Sequence, residues 1–572
     1  MDKKQAIHVL ELIALYLEIK GENPFKIAAY RKAAQALERE VRALWEIEDV
    51  SGLNGIGKAT AEVLTELQET GTSSLLTSLA ETLPESLLTL LRLPGLGGKK
   101  IGKLYRELGV IDEKTLLSAC EQGKVRSLAG FGAKSEEKII TVLKEQQKGP
   151  DRFPIEVALS VAATIEVQLE RMPGVARFSR AGSLRRMQEM VKDIDFVIAT
   201  DDPHIVRAHL LQLSGLSDII AQGETKVSVS LQLERGVISV DFRLVTVAEF
   251  ATALHHFTGS KTHNIYMRQL AKKQGEKISE YGVTNVATNE TMTFQDEQAF
   301  FSHFNLPYMP PEAREDESAF SRYAECQTDV WASDAKADLH MHTVWSDGAN
   351  TIEEMVEAAR SKGYTHIAIT DHSRSLKVAH GLSTKQLQEQ HEKVRRLDEQ
   401  YTDIHILTGI EMDILPNGTL DYPDEVLKEI DFVIASIHSG FSQSRSEIMY
   451  RMRQAIENPY VHLIAHPTGR LIGRRPGYDI DVGTLIDWAK EAGKALELNA
   501  NPRRLDLEVK WLKQAALQGV PIAINSDAHR VSGLDVVDYG YAYARKAMLT
   551  PDNVLNTWSF EKFRQEILLR GK

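Results

Sequence analysis

The sequence predicts a multidomain protein that combines α+β and α/β architecture, because three residue patterns follow one another along its 572 residues. The first part reads as helices separated by glycine-rich turns, and the middle part alternates helical with strand-like runs. The last part repeats seven apolar, β-branched runs separated by helical stretches, which is typical of a β/α repeat with buried parallel strands. A chain of this length exceeds the size at which one hydrophobic core keeps growing, so about two to four domains are expected.

The composition is that of an ordinary soluble globular chain. Hydrophobic residues make up 43% and charged residues 26% of it, and no apolar stretch approaches the ~18–20 residues that cross a bilayer. Acidic residues interrupt the apolar run near the N-terminus, which indicates an amphipathic helix rather than a signal peptide. Two cysteines, Cys120 and Cys326, offer no disulfide framework and are typical of a reducing cytoplasm.

Three glycine turns in the helical part predict a surface for the phosphate backbone of a nucleic acid. Each has an apolar residue between two glycines and a basic residue before the next helix: Gly55 and Gly57, Gly95 and Gly97 with Lys99, and Gly130 and Gly132. Such glycines let the backbone approach a phosphate, and N–H groups at the following helix N-terminus bind it without reading sequence. One such turn could be an ordinary helix connection, but three close together favour the helix-hairpin-helix pattern.

The net charge of −12 does not exclude a nucleic-acid partner. Residues 91–148 hold 12 Lys/Arg against 7 Asp/Glu, so this stretch is basic although the whole chain is acidic. A carboxylate-rich metal domain elsewhere in the chain can account for the acidic total.

Aspartates in the middle part predict a nucleotidyl-transfer centre. Asp193 and Asp195 lie on one strand-like run, where alternation places them on the same face, and Asp241 lies on another such run. Three carboxylates on adjacent strands can hold two Mg²⁺ ions, which stabilise the attacking and leaving oxygens of a phosphoryl transfer. A lone Asp-x-Asp is more often a solvated strand end, but the Gly182-Ser183 turn upstream can supply donors to a triphosphate.

The seven runs of the last part lead into polar residues, most of which are metal-ligand types. In chain order these residues are His340 and His342, Asp371 and His372, Glu411, His438, His466, Glu497 and Asn499, and Asp527 and His529. A β/α barrel places the C-terminal ends of its strands at one mouth, so these side chains are expected to converge. One buried histidine is usually a satisfied core residue, but 11 of the 18 histidines follow residue 335. The pattern therefore predicts a multi-metal site.

Most of residues 5–316 resemble the family X DNA polymerases, the DNA polymerase β group. The resemblance rests on residues 182–186 (GSLRR) and 193–195 (DID), and on residues 223–226, 240–243, 257–260, 264 and 267–268. It implies templated addition of dNTPs to a primer end, preferably in short gaps. It also implies that Asp193 and Asp195 bind both Mg²⁺ ions and that Asp241 assists deprotonation of the primer 3′-hydroxyl. The nucleotide-binding residues that it implies are Gly182, Ser183, Arg186, Gly259, Asn264 and Arg268.

The first domain departs from this family at one position. Lys26 and Tyr30 resemble residues of the family's 5′-phosphate pocket, but Val63 replaces the lysine that would form a Schiff base with a deoxyribose. Valine has no amine, so the usual lyase mechanism cannot run through that position. Binding of a 5′-phosphate can survive this loss.

The catalytic region departs from the family at three further positions. His256 stands where many relatives have a tyrosine near the sugar, which puts exclusion of ribose in question. Met187 and Lys192 replace two glycines of the catalytic loop, which bears on how that loop closes.

Residues 336 to about 560 resemble a PHP (polymerase and histidinol phosphatase) domain, through motifs that include HMH at 340–342, TDH at 370–372 and SDAH at 526–529. The resemblance implies a trinuclear site whose ligand sets are His340, His342, Glu411 and Asp527; Glu411, His438 and His466; and Asp347, His372 and His529. Such ligands suit Mn²⁺, Zn²⁺ or Fe²⁺, and we expect Mn²⁺. Arg470, Arg474 and Arg475 are candidates for holding a phosphate, although a solvated basic loop explains them nearly as well.

The resemblances predict six segments and a distorted (β/α)7 PHP barrel at the C-terminal end. The segments are an 8-kDa-like helical domain that binds DNA and 5′-phosphate (1–85), a fingers-like helix-hairpin-helix domain (86–150), a nucleotidyltransferase palm (151–262), a thumb-like domain (263–316), a linker (317–335) and the PHP domain (336–572).

The leading hypothesis is a bacterial family X polymerase that fills short gaps in base excision repair. Its PHP domain would act as a metal-dependent 3′–5′ exonuclease and cleave abasic sites. We expect gapped or primer-template DNA and dNTPs as partners, and a monomer in the cytoplasm at the nucleoid. Two alternatives stay open: a PHP domain that is a small-molecule phosphatase or an inert scaffold, and a middle domain that adds nucleotides without a template.

Overall fold

The computed structural model describes residues 3–39, 47, 49–93, 95–147, 151–234, 236–315, 318–325 and 329–569. The chain divides into two compact units, residues 1–150 and 151–572. Pro94, Cys326 and parts of the expected linker 317–335 lie outside the described residues. Among the helices that are described, none combines the length and the apolar character needed to cross a bilayer.

The first unit is helical, as the sequence predicts. Its α-helices are α1 (Lys3–Lys20), α2 (Pro24–Arg39), α3 (Lys58–Thr70), α4 (Ser74–Glu81), α5 (Gly98–Leu108), α6 (Glu113–Glu121) and α7 (Ala133–Gln147). Aliphatic side chains from these helices share one hydrophobic core. Gly102 lets α5 lie against α1, because a Cβ atom there would stand 2.2 Å from the carbonyl oxygen of Ile19.

The second unit begins with a five-stranded mixed sheet. The elements of this region are β1 (Phe153–Pro154), α8 (Ile155–Glu170), β2 (Arg177–Ala181), α9 (Gly182–Arg185), β3 (Met190–Val191), β4 (Asp193–Ala199), α10 (Pro203–Leu210), β5 (Leu216–Gln222), β6 (Lys226–Leu233), β7 (Gly236–Val245) and α11 (Phe250–Thr258). Strands β1 and β3 pair with each other in a separate two-stranded sheet. The strand order is β2-β4-β7-β6-β5, with β4 and β7 parallel and the other pairs antiparallel. Phe196 and Phe242 stack on one face with ring centroids 5.7 Å apart.

A small antiparallel sheet with flanking helices follows. It consists of α12 (Lys261–Lys273), β8 (Glu276–Ser279), β9 (Gly282–Asn285), β10 (Thr291–Met292), α13 (Glu297–His303) and α14 (Ser318–Ala324). Helix α14 falls within the expected linker, yet Ala319 and Tyr323 are buried in the core of this layer. These two residues lie four apart and share one helix face, which explains why a largely polar stretch packs there.

The remaining strands form a parallel sheet in chain order. They are β11 (Ala337–Asp338), β12 (His366–Ile369), β13 (His405–Asp413), β14 (Phe432–Ser436), β15 (Leu463–Ile464), β16 (Ala495–Asn499) and β17 (Ile522–Asn525). The helices around them are α15 (Ile352–Ser361), α16 (Thr384–Asp398), α17 (Asp424–Leu427), α18 (Arg445–Glu457), α19 (Val482–Ala492), α20 (Val509–Gln518), α21 (Val537–Lys546) and α22 (Phe560–Phe563). A bridge between Met341 and Ala528 brings the first and last strands together, so the sheet is nearly a closed barrel. The predicted fold class is confirmed.

Two candidate metal centres and a candidate nucleic-acid interface

The structure brings the three predicted aspartates together. Strand β4 carries Asp193 and Asp195 two residues apart, and both side chains are therefore on one face. Strand β7 runs parallel to β4 with Asp241 in register with Asp195. On the other side of β4, Ala181 of β2 pairs with Asp195, which places the Gly182-Ser183 turn directly beside the aspartates.

The electrostatics of this carboxylate cluster fit a divalent cation. Burial, together with the nearby carboxylates of Asp193 and Asp241, raises the pKa of Asp195 to about 7. Lys226 Nζ lies 2.6 Å from Asp241 Oδ2 and offsets part of the negative charge. Carboxylate oxygens are the ligands that Mg²⁺ prefers, and an ion held among them would relieve the remaining repulsion.

Gly182 is required by the close approach of the turn to Asp195. Its φ of 59° lies in the left-handed region, which residues with a side chain rarely adopt. A Cβ atom at this position would stand 2.0 Å from Asp195 Oδ2. A side chain here would therefore displace the carboxylate, and glycine is what the site geometry demands.

Arg186 is held by other protein groups. Its guanidinium donates to a carboxylate oxygen of Glu315 and to the carbonyl oxygen of Thr258. The neighbouring Arg185 donates to Thr258 Oγ1 at 2.7 Å and pairs with the buried Glu297. The role of Arg186 in binding phosphate stays a prediction, and in this conformation it would have to exchange Glu315 for the phosphate. No pattern in the sequence singled out Glu315.

The other predicted nucleotide-facing residues form a connected strip on α11 and α12. Asn264 Nδ2 donates to the carbonyl oxygen of His256 at 2.8 Å, and Arg268 Nε donates to the carbonyl oxygen of Asn264 at 3.1 Å. Gly259 has φ 71° and would place a Cβ atom 3.2 Å from Arg186 Nη1. His256 is half-buried, and this burial lowers its pKa, which favours the neutral imidazole.

The barrel brings all nine predicted ligands to the C-terminal ends of its strands. They form three overlapping groups: His342, Asp347, His372 and His529; His340, His342 and Asp527; and His372, Glu411 and His438, with His466 beside Glu411. Within each of the three groups the possible ligand atoms lie within 4.8 Å of one another. This convergence is what a multi-metal centre requires.

Glu411 stands at the middle of this cluster. Its Oε1 atom lies 2.9 Å from His466 Nε2 and 3.2 Å from His438 Nε2. Its Oε2 atom lies 2.9 Å from His372 Nδ1, 3.4 Å from His340 Nε2 and 3.5 Å from His342 Nε2. One carboxylate thus faces five imidazoles, which is the position of a bridging ligand.

Unsatisfied nitrogen atoms support a metal site here. His340 Nε2 and both ring nitrogens of His342 are buried and have no hydrogen-bond partner among the described residues. Buried polar atoms are nearly always paired, so these atoms are expected to bind a ligand. Burial, together with the nearby His372 and His529, lowers the pKa of His342 to about 3, so the imidazole is neutral, as metal coordination requires.

Groups behind the ligands orient them. Glu497 Oε1 lies 2.7 Å from His340 Nδ1, and Glu497 Oε2 accepts the backbone N–H of His466 at 2.7 Å. The sequence placed Glu497 at a strand end but assigned it no role. The carboxylate of Asp371 accepts hydrogen bonds from Thr343 and Gln390, so it holds the loop before Asp347.

The predicted phosphate-holding arginines differ from one another. Arg470 is buried and forms a bidentate pair with Glu189 of the five-stranded-sheet region, at 2.9 and 3.3 Å, so it does not point into the metal cluster. Arg475 lies over the ring of Phe441. Arg474 instead lines a cleft of about 290 Å³ together with Asp527 and His529.

The same cleft contains two arginines that sequence reasoning missed. Arg503 and Arg504 follow β16 and line the cleft beside Asp527 and His529. The signal was present, since the pair comes four residues after the strand-end Asn499. Together with Arg474, they place three guanidiniums at the entrance to the histidine cluster. Arg474 and Arg503 both pair with Glu156, and Arg504 Nε lies 3.7 Å from Asp527 Oδ2.

The three glycine turns of the first unit have one backbone design. In each, the first glycine has positive φ (Gly55 103°, Gly95 83°, Gly130 94°). The second glycine comes directly before the first residue of a helix. The residue between them donates its N–H to the residue three before it, at 3.0 to 3.2 Å. Cβ atoms at Gly57, Gly97 and Gly132 would meet no atom of the described residues within 4 Å. The internal packing does not demand glycine there, which favours an external group that approaches the backbone.

The two predicted residues of the 5′-phosphate pocket differ in their exposure to solvent. Lys26 is exposed, with Nζ 3.9 Å from Glu22. Tyr30 is only 3% exposed, and its ring belongs to the core of the unit. Val63 is also in this core, at 6% exposed.

Comparisons with known proteins agree with this architecture. The chain matches the sequence models of the helix-hairpin-helix domain over residues 1–73, the DNA polymerase beta thumb over residues 253–315 and the PHP domain over residues 338–501. The fold and the two clusters thus define a polymerase β-like chain that carries a PHP domain.

Similarity to a full-length relative is closer. The chain is 54% identical over 561 residues, 98% of each chain, to a Bacillus subtilis protein named DNA polymerase/3′-5′ exonuclease PolX. The chain therefore belongs to the bacterial PolX family. Its barrel region is also similar to two proteins named "Probable phosphatase". One, from Thermoanaerobacter, is 34% identical over 38% of this chain and 89% of its own length. The other, from Acetivibrio thermocellus, is 32% identical over 40% of this chain and 94% of its own length.

Proposed function

We propose that the protein fills short gaps in DNA during base excision repair and trims 3′ ends at a separate metal centre in the barrel. As a PolX family member it is a DNA polymerase and 3′–5′ exonuclease, and its substrates are DNA and dNTPs. The observation that carries the proposal is the coexistence in one chain of a carboxylate triad and a buried His/carboxylate cluster, on two different sheets. A monomeric state and a location at the nucleoid stay predictions.

The polymerase residues act as follows in this proposal. Asp193, Asp195 and Asp241 hold Mg²⁺, which, when bound, stabilises the attacking and leaving oxygens of nucleotide transfer. Asp241 also assists removal of the proton from the primer 3′-hydroxyl. Ser183 and Arg186 bind the triphosphate, since a guanidinium that now pairs with a carboxylate can pair equally well with a phosphate.

The barrel residues act on the phosphodiester at the 3′ end. The nine clustered side chains hold the metal ions, for which we propose Mn²⁺; such ions, when bound, generate hydroxide from water at neutral pH. Arg474, Arg503 and Arg504 bind the DNA backbone at the entrance to the cleft, because their fixed donors match phosphate oxygens. Glu497 keeps His340 oriented through its Nδ1 atom.

We also assign abasic-site cleavage to the barrel. The usual lyase position of the first unit is Val63, which is buried and has no amine to form a Schiff base. We propose that cleavage at an abasic site is hydrolytic instead, and the histidine cluster has the residue types for that chemistry.

A 5′-labelled primer in a one-nucleotide gap tests the function directly. With Mn²⁺ and dNTPs we expect extension by the templated nucleotide, and with Mn²⁺ alone we expect stepwise shortening. Gel analysis of product lengths measures both activities. Extension that ignores the template base would contradict templated synthesis, and an unchanged primer without dNTPs would contradict the nuclease assignment.

The similarity of the barrel to the two proteins named "Probable phosphatase" favours one alternative, a small-molecule phosphatase. Phosphate release from histidinol phosphate, without any shortening of DNA, would support that alternative. The three arginines at the cleft favour DNA, because guanidiniums that now pair with Glu156 and Asp527 can pair instead with several phosphates of a DNA backbone.

The glycine turns should bind DNA through its backbone. Gly97 has φ −101°, which alanine adopts without strain, so Gly97→Ala is expected to leave the unfolding temperature unchanged or slightly raised. Its Cβ atom would block a phosphate, and we expect DNA affinity to fall about 10-fold with a salt slope smaller by about one. Fluorescence anisotropy at several salt concentrations measures both quantities.

Gly483→Ala, in helix α19 of the barrel, is the matched control, because its Cβ atom meets only ordinary contacts at 3.4 Å and beyond. Equal DNA affinity for the two variants would exclude Gly97 from the interface.

A further inference from the structure

The barrel contacts the polymerase loop that joins α9 to β3. Lys546, the last residue of α21, donates from Nζ to the carbonyl oxygens of Arg186 at 2.8 Å and Met187 at 3.1 Å. Lys546 is half-buried, and this burial lowers its pKa to about 8. Because the Lys546 ammonium donates to two main-chain carbonyl oxygens, it holds the backbone of this loop in place.

The same loop has a second attachment to the barrel. The carboxylate of Glu189 accepts two hydrogen bonds from Arg470 and one from the hydroxyl of Tyr543. Arg470 follows the predicted ligand His466 by four residues, and its Nε donates to the carbonyl oxygen of Arg504 at 2.9 Å. The loop is thus tied to segments that also line the nuclease cleft.

The loop itself needs external support. Met187 has φ 54°, a left-handed conformation that is strained in a residue with a side chain. Between the two barrel attachments, Gln188 Nε2 donates to Glu315 Oε1 at 2.7 Å. Every residue from 186 to 189 therefore has a polar partner outside the loop.

Helix α21 is itself held firmly against the barrel, so it can position the loop that Lys546 contacts. Gly540 lets this helix pack closely against the barrel, since a Cβ atom there would stand 2.6 Å from side-chain atoms of both Ala500, after β16, and Ile524 of β17. Further along the helix, Arg545 pairs with Glu312 at 2.9 Å, and both side chains are buried.

We propose that the barrel is a structural part of the polymerase site: Lys546 of α21 is a positioning residue that holds the 186–189 loop, and with it Ser183 and Arg186, in place for the incoming nucleotide. This inference rests on the proposed nucleotide-binding role of that turn. It assigns the barrel a task in synthesis that is separate from trimming of the 3′ end.

Lys546→Met tests the proposal in the full-length chain. Misplacing a substrate-binding group by a fraction of an ångström costs about 10-fold or more, so we expect KM for dNTP to rise about 10-fold. Affinity for gapped DNA and the rate of 3′ trimming should stay within error. Lys546→Arg keeps donors for the two carbonyls and should restore most of the loss.

Lys562→Met on α22 is the control, because Lys562 is exposed and its ammonium lies over Trp558. An unchanged KM for dNTP in Lys546→Met would overturn the proposal. A parallel loss of trimming and of thermal stability would overturn it too, since the residue would then only maintain the fold. Lack of extension by the unmodified protein would instead refute the polymerase assignment, so the two failures are distinguishable.

Discussion

Asp195→Asn is expected to abolish primer extension while 3′ trimming continues. Asp195 lies in register with Asp241, faces the same side as Asp193 and touches the Gly182 turn, so it is central to the proposed Mg²⁺ site. Asparagine keeps the shape but removes the charge that binds the cation. Loss of several kcal/mol of transition-state stabilisation corresponds to a rate reduction of about 1000-fold or more.

Single-turnover extension in a one-nucleotide gap, with and without dNTPs, measures this effect. Asp218→Asn is the matched control, since Asp218 is an exposed aspartate on β5 of the same sheet. If Asp195→Asn extended the primer at the rate of the control, Asp195 would not be a catalytic residue. Simultaneous loss of trimming would mean that the two activities do not have separate sites.

Glu411→Gln is expected to have the opposite effect, abolishing trimming while extension continues. Its carboxylate faces five imidazoles within 3.5 Å, and glutamine would fill the same space without the charge. Ions that share this ligand should bind more weakly, and we expect trimming to fall about 1000-fold. Abasic-site cleavage should fall with it if both reactions use the barrel.

Metal content per chain, measured alongside the trimming rate, connects the loss to the cluster. Glu425→Gln provides the comparison, because Glu425 is an exposed glutamate on helix α17. Full metal content and full trimming in Glu411→Gln would refute the assignment. Abasic-site cleavage that persists while trimming disappears would locate that reaction elsewhere in the chain.

Residue patterns were sufficient to predict the parts of the fold that repeat. Strand-end histidines at regular intervals implied a barrel mouth, and β4 carries its two aspartates on one face because alternation in a strand is obligatory. The nine residues predicted as ligands lie together at the barrel mouth, because they are on the ends of parallel strands or on the loops that follow them.

The contacts between segments could not be predicted in this way. Glu315, Arg470, Tyr543 and Lys546 meet the loop after α9 only through tertiary packing, and no local spacing records that proximity. Arg470 looked like a phosphate ligand because it follows His466, but its partner is Glu189, far away in sequence. The position of an arginine in the sequence suggests that it binds an anion, whereas the identity of that anion depends on the assembled structure.

The parallel pairing of β4 with β7 determines when the aspartates of the polymerase site come together during folding. Strands β5 and β6 lie between them in sequence, so Asp195 and Asp241 become neighbours only after the intervening chain has folded back. Pairing of distant segments carries a loop-closure cost and is slow relative to local hairpins. A nascent or partly folded chain therefore lacks the assembled aspartate cluster, and we expect nucleotide transfer to begin only when the sheet is complete.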